Sequence, residues 1–217
     1  MTIIKRKIIK AIMNIFPAVP QALDLSLNEV FMHKNFTDAD EDTKKKLMLR
    51  SAQWRYDYEK KYKFEKMYFK KVNIKKLLKN KIVLDLGCFT GGRTAVWAKR
   101  YDIKTIYGID IDSVYIEAAR LFSQKMGNNT HFQISYGEEL PFEDNFFDAI
   151  ITSDTFEHVR DLKKVLQECQ RVLKGDGIII CSFPQYLSPF EHHLGFVTKT
   201  PCIHWFFKNT DIHEVYY

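Results

Sequence analysis

Two carboxylates set apart in the chain carry its first chemical hint: Asp85 and Asp110 each stand at the end of a short apolar run. After Asp85 the sequence turns through Gly87, Gly91 and Gly92, where a backbone without Cβ can bend sharply and approach a ligand. A helix opening at about Thr90 would aim its unpaired N–H groups at that ligand. Asp110 offers two acceptor oxygens, which suit the paired 2′ and 3′ hydroxyls of an adenosine ribose and would repel a 2′-phosphate. The same acid could instead cap the following helix. Glycine turns of this kind serve NAD, FAD and other nucleotide sites alike, so these residues alone leave the ligand open.

A second set of residues could move protons. His158 follows the run Phe147 to Ser153, and His192 and His193 lie in a Pro- and Gly-marked stretch, Ser188 to Gly195. Imidazole titrates near working pH, so these three are the candidate catalytic residues, against the plainer roles of capping and packing. No metal site is expected from His192, His193 and His204, because adjacent histidines of an extended segment point apart.

The spacing Asp85-x-Gly87-x-Phe89-x-Gly91 resembles motif I of the class I S-adenosylmethionine-dependent methyltransferases, specifically the type 11-like group. Phe89 stands where that motif has its middle glycine. Further segments resemble the same family in the same order. They are Ser135 to Phe142 (SYGEELPF), the Phe147-Asp148 pair opening a strand, and Arg171 to Gly177 (RVLKGDG). The resemblance implies S-adenosyl-L-methionine as cofactor, held by Asp85, Gly87, Cys88, Phe89, Gly91, Asp110, Ile111, Tyr136, Gly137, Glu138 and Ser153. Tyr136 falls where the family places an acid at the adenine edge, so its hydroxyl or ring, or the Glu138 carboxylate, takes that role; Gly137 supplies a backbone N–H. The implied activity is methyl transfer to a small-molecule, glycan or lipid-like acceptor, at oxygen. RNA methylation and a non-catalytic cofactor-binding module are the alternatives, and a dehydrogenase ranks last. Phe183-Pro-Gln-Tyr186 lacks the second proline of the nucleobase amino-methylase tetrad and follows the wrong strand, which argues against base methylation.

The elements that must position these residues can be read from hydrophobic pattern. Branched apolar runs at Ile82–Leu86, Thr105–Asp110, His131–Ile134, Phe147–Ser153 and Ile178–Ser182 predict five strands. Helices between them are predicted over Arg93 to Arg100, Ser113 to Met126 (capped by Asp112 or Ser113 and ended by Gly127), and Asp161 to Leu173. Strands alternating with helices imply an α/β fold: a Rossmann-like, doubly wound, mainly parallel sheet with helices on both faces and an N-terminal helical extension. Residues 1–80 form that basic extension or cap, and 81–217 the catalytic domain. The family usually continues with another helix and an antiparallel strand pair, so with 34 residues after Phe183 the sheet is short or the chain is a truncated form.

Within the extension, Ile4, Ile8, Ile12 and Ile15 share helical spacing over residues 3–16, with Lys5, Arg6 and Lys10 largely opposite. That helix packs on the domain or lies on a membrane surface. An acidic cluster, Thr37 to Thr43, predicts the start of a long helical region over Lys44 to Lys71, whose Trp54, Arg55, Tyr56 and Tyr58 line a substrate pocket or simply pack.

Composition bounds the rest. The first 80 residues hold 19 Lys and Arg against 9 Asp and Glu, a net of +10 within a chain of net +6. Such a front suits nucleic acid, anionic lipid or an acidic partner, or a plainly solvated surface. Nucleic acid is not favoured as a partner, and oligomeric state is not indicated. Four cysteines without a C-x-x-C pair read as free thiols of a reducing compartment, and no secretory cleavage site or membrane span is expected, so a cytoplasmic protein follows.

Overall fold

Five branched apolar runs build one parallel sheet. The computed structural model describes residues 3–15, 36, 38–62, 66, 69–127, 129–183 and 201–208. The strands are β1 (Ile82–Leu86), β2 (Thr105–Asp110), β3 (Thr130–Ile134), β4 (Phe147–Ser153) and β5 (Leu173–Ser182). The helices are α1 (Ile3–Ile15), α2 (Glu41–Tyr62), α3 (Ile74–Leu78), α4 (Gly92–Arg100), α5 (Ser113–Met126), α6 (Leu162–Val172) and α7 (Ile203–Phe206). The strand order is β3-β2-β1-β4-β5 and every pairing is parallel. The order reverses between β1 and β4, which opens a crevice at the carboxyl ends of those strands.

Side chains alternate along each strand, so the runs feed two cores. Val83, Ile106, Ala149, Ile151 and Ile180 meet Ile74, Leu78 and Trp97 of α3 and α4 on one face. Leu84, Leu86, Ile109 and Ile150 meet Val165, Cys169 and Val172 of α6 on the other. Helices therefore cover both faces, as the near-continuous hydrophobicity of β1 and β4 predicts. Leu162 and Leu166, which share the apolar spacing of α6, remain exposed.

Some boundaries differ from the sequence reading, β3 for one starting at Thr130 ahead of His131. β5 starts at Leu173, ahead of the expected Ile178, because Leu173 still pairs with Phe147 before Gly175 and Asp176 shift the register. The long helical region opens at Glu41, inside the acidic cluster that marks its start, with Asp40 Oδ1 accepting the Thr43 N–H at 2.7 Å, and α2 is described through Tyr62. α4 opens at Gly92 on a left-handed Gly91.

The chain divides into two compact units: Glu29–Phe183, and Met1–Asn28 with Pro184–Tyr217. α2 and α3 belong with the sheet. In the second unit α1 and α7 share a small core in which Ile9 and Met13 pack with Ile203. The buried residues of α1 are thus not the Ile4 and Ile8 that its spacing singled out, since both are exposed. Among the described residues no helix is long and apolar enough to cross a membrane.

Candidate functional site

At the carboxyl end of β1 the chain makes a tight loop whose N–H groups are tied to β2. Gly87 and Cys88 both donate to the Ile109 carbonyl at 2.9 Å, and Gly91 donates to Cys88 at 3.1 Å. Phe89 has φ of 51°, in the left-handed region that a Cβ disfavours, which explains why the related motif carries glycine there. Its ring turns aside from the loop, against Tyr115 of α5 (centroids 4.3 Å apart) and under the Arg55 guanidinium of α2 (5.6 Å). Gly91 also lies in the left-handed region, and a Cβ there would come within 2.7 Å of Ala119. Cys88 is buried among Ile116, Ala119 and Phe132, and burial beside Asp85 and Asp110 pushes its thiol well above the ordinary range. It serves the loop through its backbone, as an unreactive thiol.

Asp85 is buried in β1 and accepts the Thr94 hydroxyl of α4 at 2.5 Å. Burial raises its pKa to about 7, against the pull of that hydroxyl and of Arg93. Asp110 is pinned at both oxygens: Oδ2 accepts the Phe89 N–H at 3.0 Å and Oδ1 the Asp112 N–H at 3.2 Å. Partial burial raises its pKa too, while those N–H groups hold it back. Each oxygen keeps a second lone pair in a fixed direction, which is what a pair of vicinal hydroxyls requires. Asp112 caps α5 through the N–H groups of Val114 and Tyr115, so the capping role falls to it.

Beyond β3, Ser135 N–H donates to the Asp110 carbonyl at 3.0 Å, which brings the segment Ser135 to Phe142 beside the end of β2. Ile111 and Tyr136 are exposed there, giving an apolar face and a ring with Arg160 over it at 5.5 Å. Gly137 is buried, close to Val165 and Leu86. Glu138 is engaged otherwise than as an adenine acid at one oxygen: its Oε1 accepts the N–H groups of Arg160 and Asp161 ahead of α6.

At the far side of the crevice, Ser153 is buried at the end of β4, its hydroxyl 2.9 Å from that of Ser182 in β5. Asp154 follows in the left-handed region with φ of 57°. His158, on the same turn, is exposed, with Nε2 4.0 Å from Glu157. His192 and His193 lie outside the described residues. Trp54 and Tyr58 stack on each other, and Tyr56 packs on Phe122 of α5, so of the four α2 residues Arg55 is the one placed at the loop.

Several further residues shape the site through contacts that the sequence did not assign. Thr155 crosses over Gly87 and donates its hydroxyl to the Leu86 carbonyl at 3.1 Å, tying the ends of β1 and β4 together. Buried Glu59 of α2 accepts from Trp97 at 3.1 Å and Arg100 at 3.2 Å, and faces Arg93 at 3.6 Å. Arg93 also reaches toward Asp154 at 3.8 Å. The one sequence signal was Arg93 itself, a cation in the first turn of a helix where the dipole disfavours it. Arg171 and Glu168 of α6 hold the segment after Glu138: Arg171 donates to the Leu140 and Phe142 carbonyls, and Glu168 accepts the Leu140 N–H at 2.7 Å.

The residues fit S-adenosylmethionine. Asp110 has oriented oxygens that could take its ribose, Ile111 and Tyr136 an apolar edge that could take its adenine, and Asp110, Asp112 and Asp154 would give its cationic sulfonium and ammonium an acidic surrounding. Residues 84–181 match the family described as "Methyltransferase domain". The chain is similar to an uncharacterized methyltransferase, YcgJ, of Bacillus subtilis (strain 168), with 38% identity over 96 residues, covering 44% of this chain and 37% of that protein. It is also similar to norajmaline N-methyltransferase of Rauvolfia serpentina, 32% identical over 54% of this chain and 41% of that one. A third relative is malonyl-[acyl-carrier protein] O-methyltransferase 1 of Coxiella burnetii, 31% identical over 61% and 44%. In each case the match spans less than half of the relative's own length. Over residues 84–181, less than half of the chain, the sheet unit is thus similar to the class I S-adenosylmethionine-dependent methyltransferase domains.

Proposed function

We propose that this protein transfers a methyl group from S-adenosylmethionine to a small-molecule or glycan/lipid-like acceptor, at oxygen. The observation that carries the reading is Asp110, held at both oxygens by the Phe89 and Asp112 N–H groups at the carboxyl edge of the sheet. The bound donor supplies an electrophilic methyl on a positively charged sulfur. The chain's own part is to hold the ribose through Asp110, cover the adenine with Ile111 and Tyr136, and orient the acceptor at the crevice between β1 and β4. Positioning of this kind can supply roughly 7–11 kcal/mol of the barrier. A hydroxyl acceptor must lose a proton, and His158 on the turn after β4 is the base assigned to it, with His192 and His193 as the further candidates.

Calorimetry with S-adenosylmethionine and its demethylated product tests the cofactor site. Asp110→Ala lowers affinity at least about tenfold, since hydrogen bonds to a charged group contribute roughly 1.5–3 kcal/mol; an unchanged affinity removes the ribose assignment. Labelled-methyl transfer into extracts sorted by chemical class tests the acceptor, and label confined to amines would overturn the oxygen reading. With an acceptor in hand, His158→Ala lowers kcat about 10²–10⁴-fold.

A further inference from the structure

α1 carries more apolar surface than its own unit uses. Ile9 and Met13, four residues apart, are buried against Ile203. A second stripe, Ile4, Ile8 and Ala11, follows the i, i+4, i+7 spacing on a different face and stays in solvent, with Ile4 73% and Ile8 47% exposed. Lys7 and Lys10 form the adjoining stripe and are exposed as well. No Asp or Glu precedes Asp24, so nothing acidic in α1 offsets its Lys5, Arg6, Lys7 and Lys10. The same small unit displays α7, whose Phe206 is 77% and Trp205 46% exposed.

From this juxtaposition we infer that the α1–α7 unit is a docking surface for an anionic lipid bilayer. Exposed isoleucines edged by lysines on one helix match what an interfacial helix needs: an apolar stripe for the acyl boundary and cations at the level of the headgroups. Trp205 and Phe206 add amphipathic and apolar rings of the type that settle at that depth. Charge selects the occupant: a basic rim complements acidic headgroups, whereas a second copy would bring the same cations against one another. The binding is peripheral. It is also independent of methyl transfer, being set by residues outside the sheet unit.

The test is flotation of the full chain with vesicles of phosphatidylcholine alone or with phosphatidylserine added, at two salt concentrations. The wild type floats with the anionic vesicles, remains behind with the neutral ones, and loses binding as salt rises. Lys7→Gln/Lys10→Gln lowers the partition coefficient about thirtyfold, each cation near an anionic surface contributing about fivefold. Ile4→Ser/Ile8→Ser lowers it on the order of a hundredfold, with an unchanged circular dichroism spectrum because both positions are exposed. A wild type that ignores anionic vesicles, or variants that float like the wild type, would overturn the inference. So would sedimentation as a dimer that Ile4→Ser/Ile8→Ser converts to monomer, which would assign the stripe to a second copy.

Discussion

Phe89 holds a backbone conformation that costs an L-residue roughly 1–2 kcal/mol. Its ring contacts with Tyr115 and Arg55 offset that cost. A phenylalanine in place of the motif's glycine is thus accommodated with the loop's N–H bond to Asp110 kept. Two substitutions separate strain from packing. Phe89→Ala loses the ring and keeps the left-handed Cβ, while Phe89→Gly loses both, so the glycine variant is the more stable by about 1 kcal/mol in denaturant unfolding. Equal stabilities would mean that the loop stores no such strain. Asp85 gives a second residue-scale prediction. Its folded pKa of about 7 lies above the unfolded value, so between about pH 4 and 7 the folded state binds the extra proton and stability falls as pH rises. Asp85→Asn removes that slope, and relative to the variant the wild type loses at most about 4 kcal/mol across the window. Parallel pH profiles for the two proteins would show that Asp85 does not titrate there.

Among the elements, α2 depends most on contacts that a linear reading cannot see. It lies so close to α4 that a Cβ on Gly92 would stand 2.1 Å from the Ala52 carbonyl oxygen, and Glu59 then fastens the pair through Trp97 and Arg100. Gly92→Ala forces α2 outward and costs about 2 kcal/mol or more, with faster exchange of the α2 amides; a stability equal to wild type would mean that α2 yields freely. The same contrast decides how much was legible. β1, β2, β4 and both ends of α5 follow from local chemistry, since branched runs make buried strands and Asp112 and Gly127 cap the helix by their own side-chain and backbone preferences. The place of Asp110 was legible too, because the apolar run from Thr105 makes a strand that ends on it. The contacts of Glu59, Thr155 and Arg171 were not, because each acts on a partner far away in sequence that only the fold brings near. α1 fails for a related reason. Its isoleucines fill two faces, and periodicity alone cannot say which one Ile203 will meet.

For the sheet unit as a whole, the two rims have different work. The carboxyl rim gathers Asp85, Phe89, Asp110, Ile111, Tyr136, Asp154 and His158, with two left-handed non-glycine residues at Phe89 and Asp154. The amino rim is closed by structural bonds: Asp148 Oδ2 accepts the Ile82 N–H at 2.7 Å, Lys174 pairs with Asp148 at 2.8 Å, and Lys104 N–H donates to Lys81 at 3.1 Å. Left-handed non-glycine residues also stand on the amino rim, at Asn80, Asp102 and Asn145, but Asn and Asp adopt that conformation readily, so the strained residue is Phe89, on the rim where a ligand will be met. Hydrogen exchange with and without S-adenosylmethionine tests this division. At a ligand concentration one hundred times Kd, binding contributes about 2.7 kcal/mol to the folded state. For amides that exchange through local opening, protection rises at Phe89, Asp112 and Gly137 and stays unchanged at Lys104 and Asn145. Protection confined to the amino rim would place the cofactor elsewhere on the sheet, and the ribose role of Asp110 would go with it.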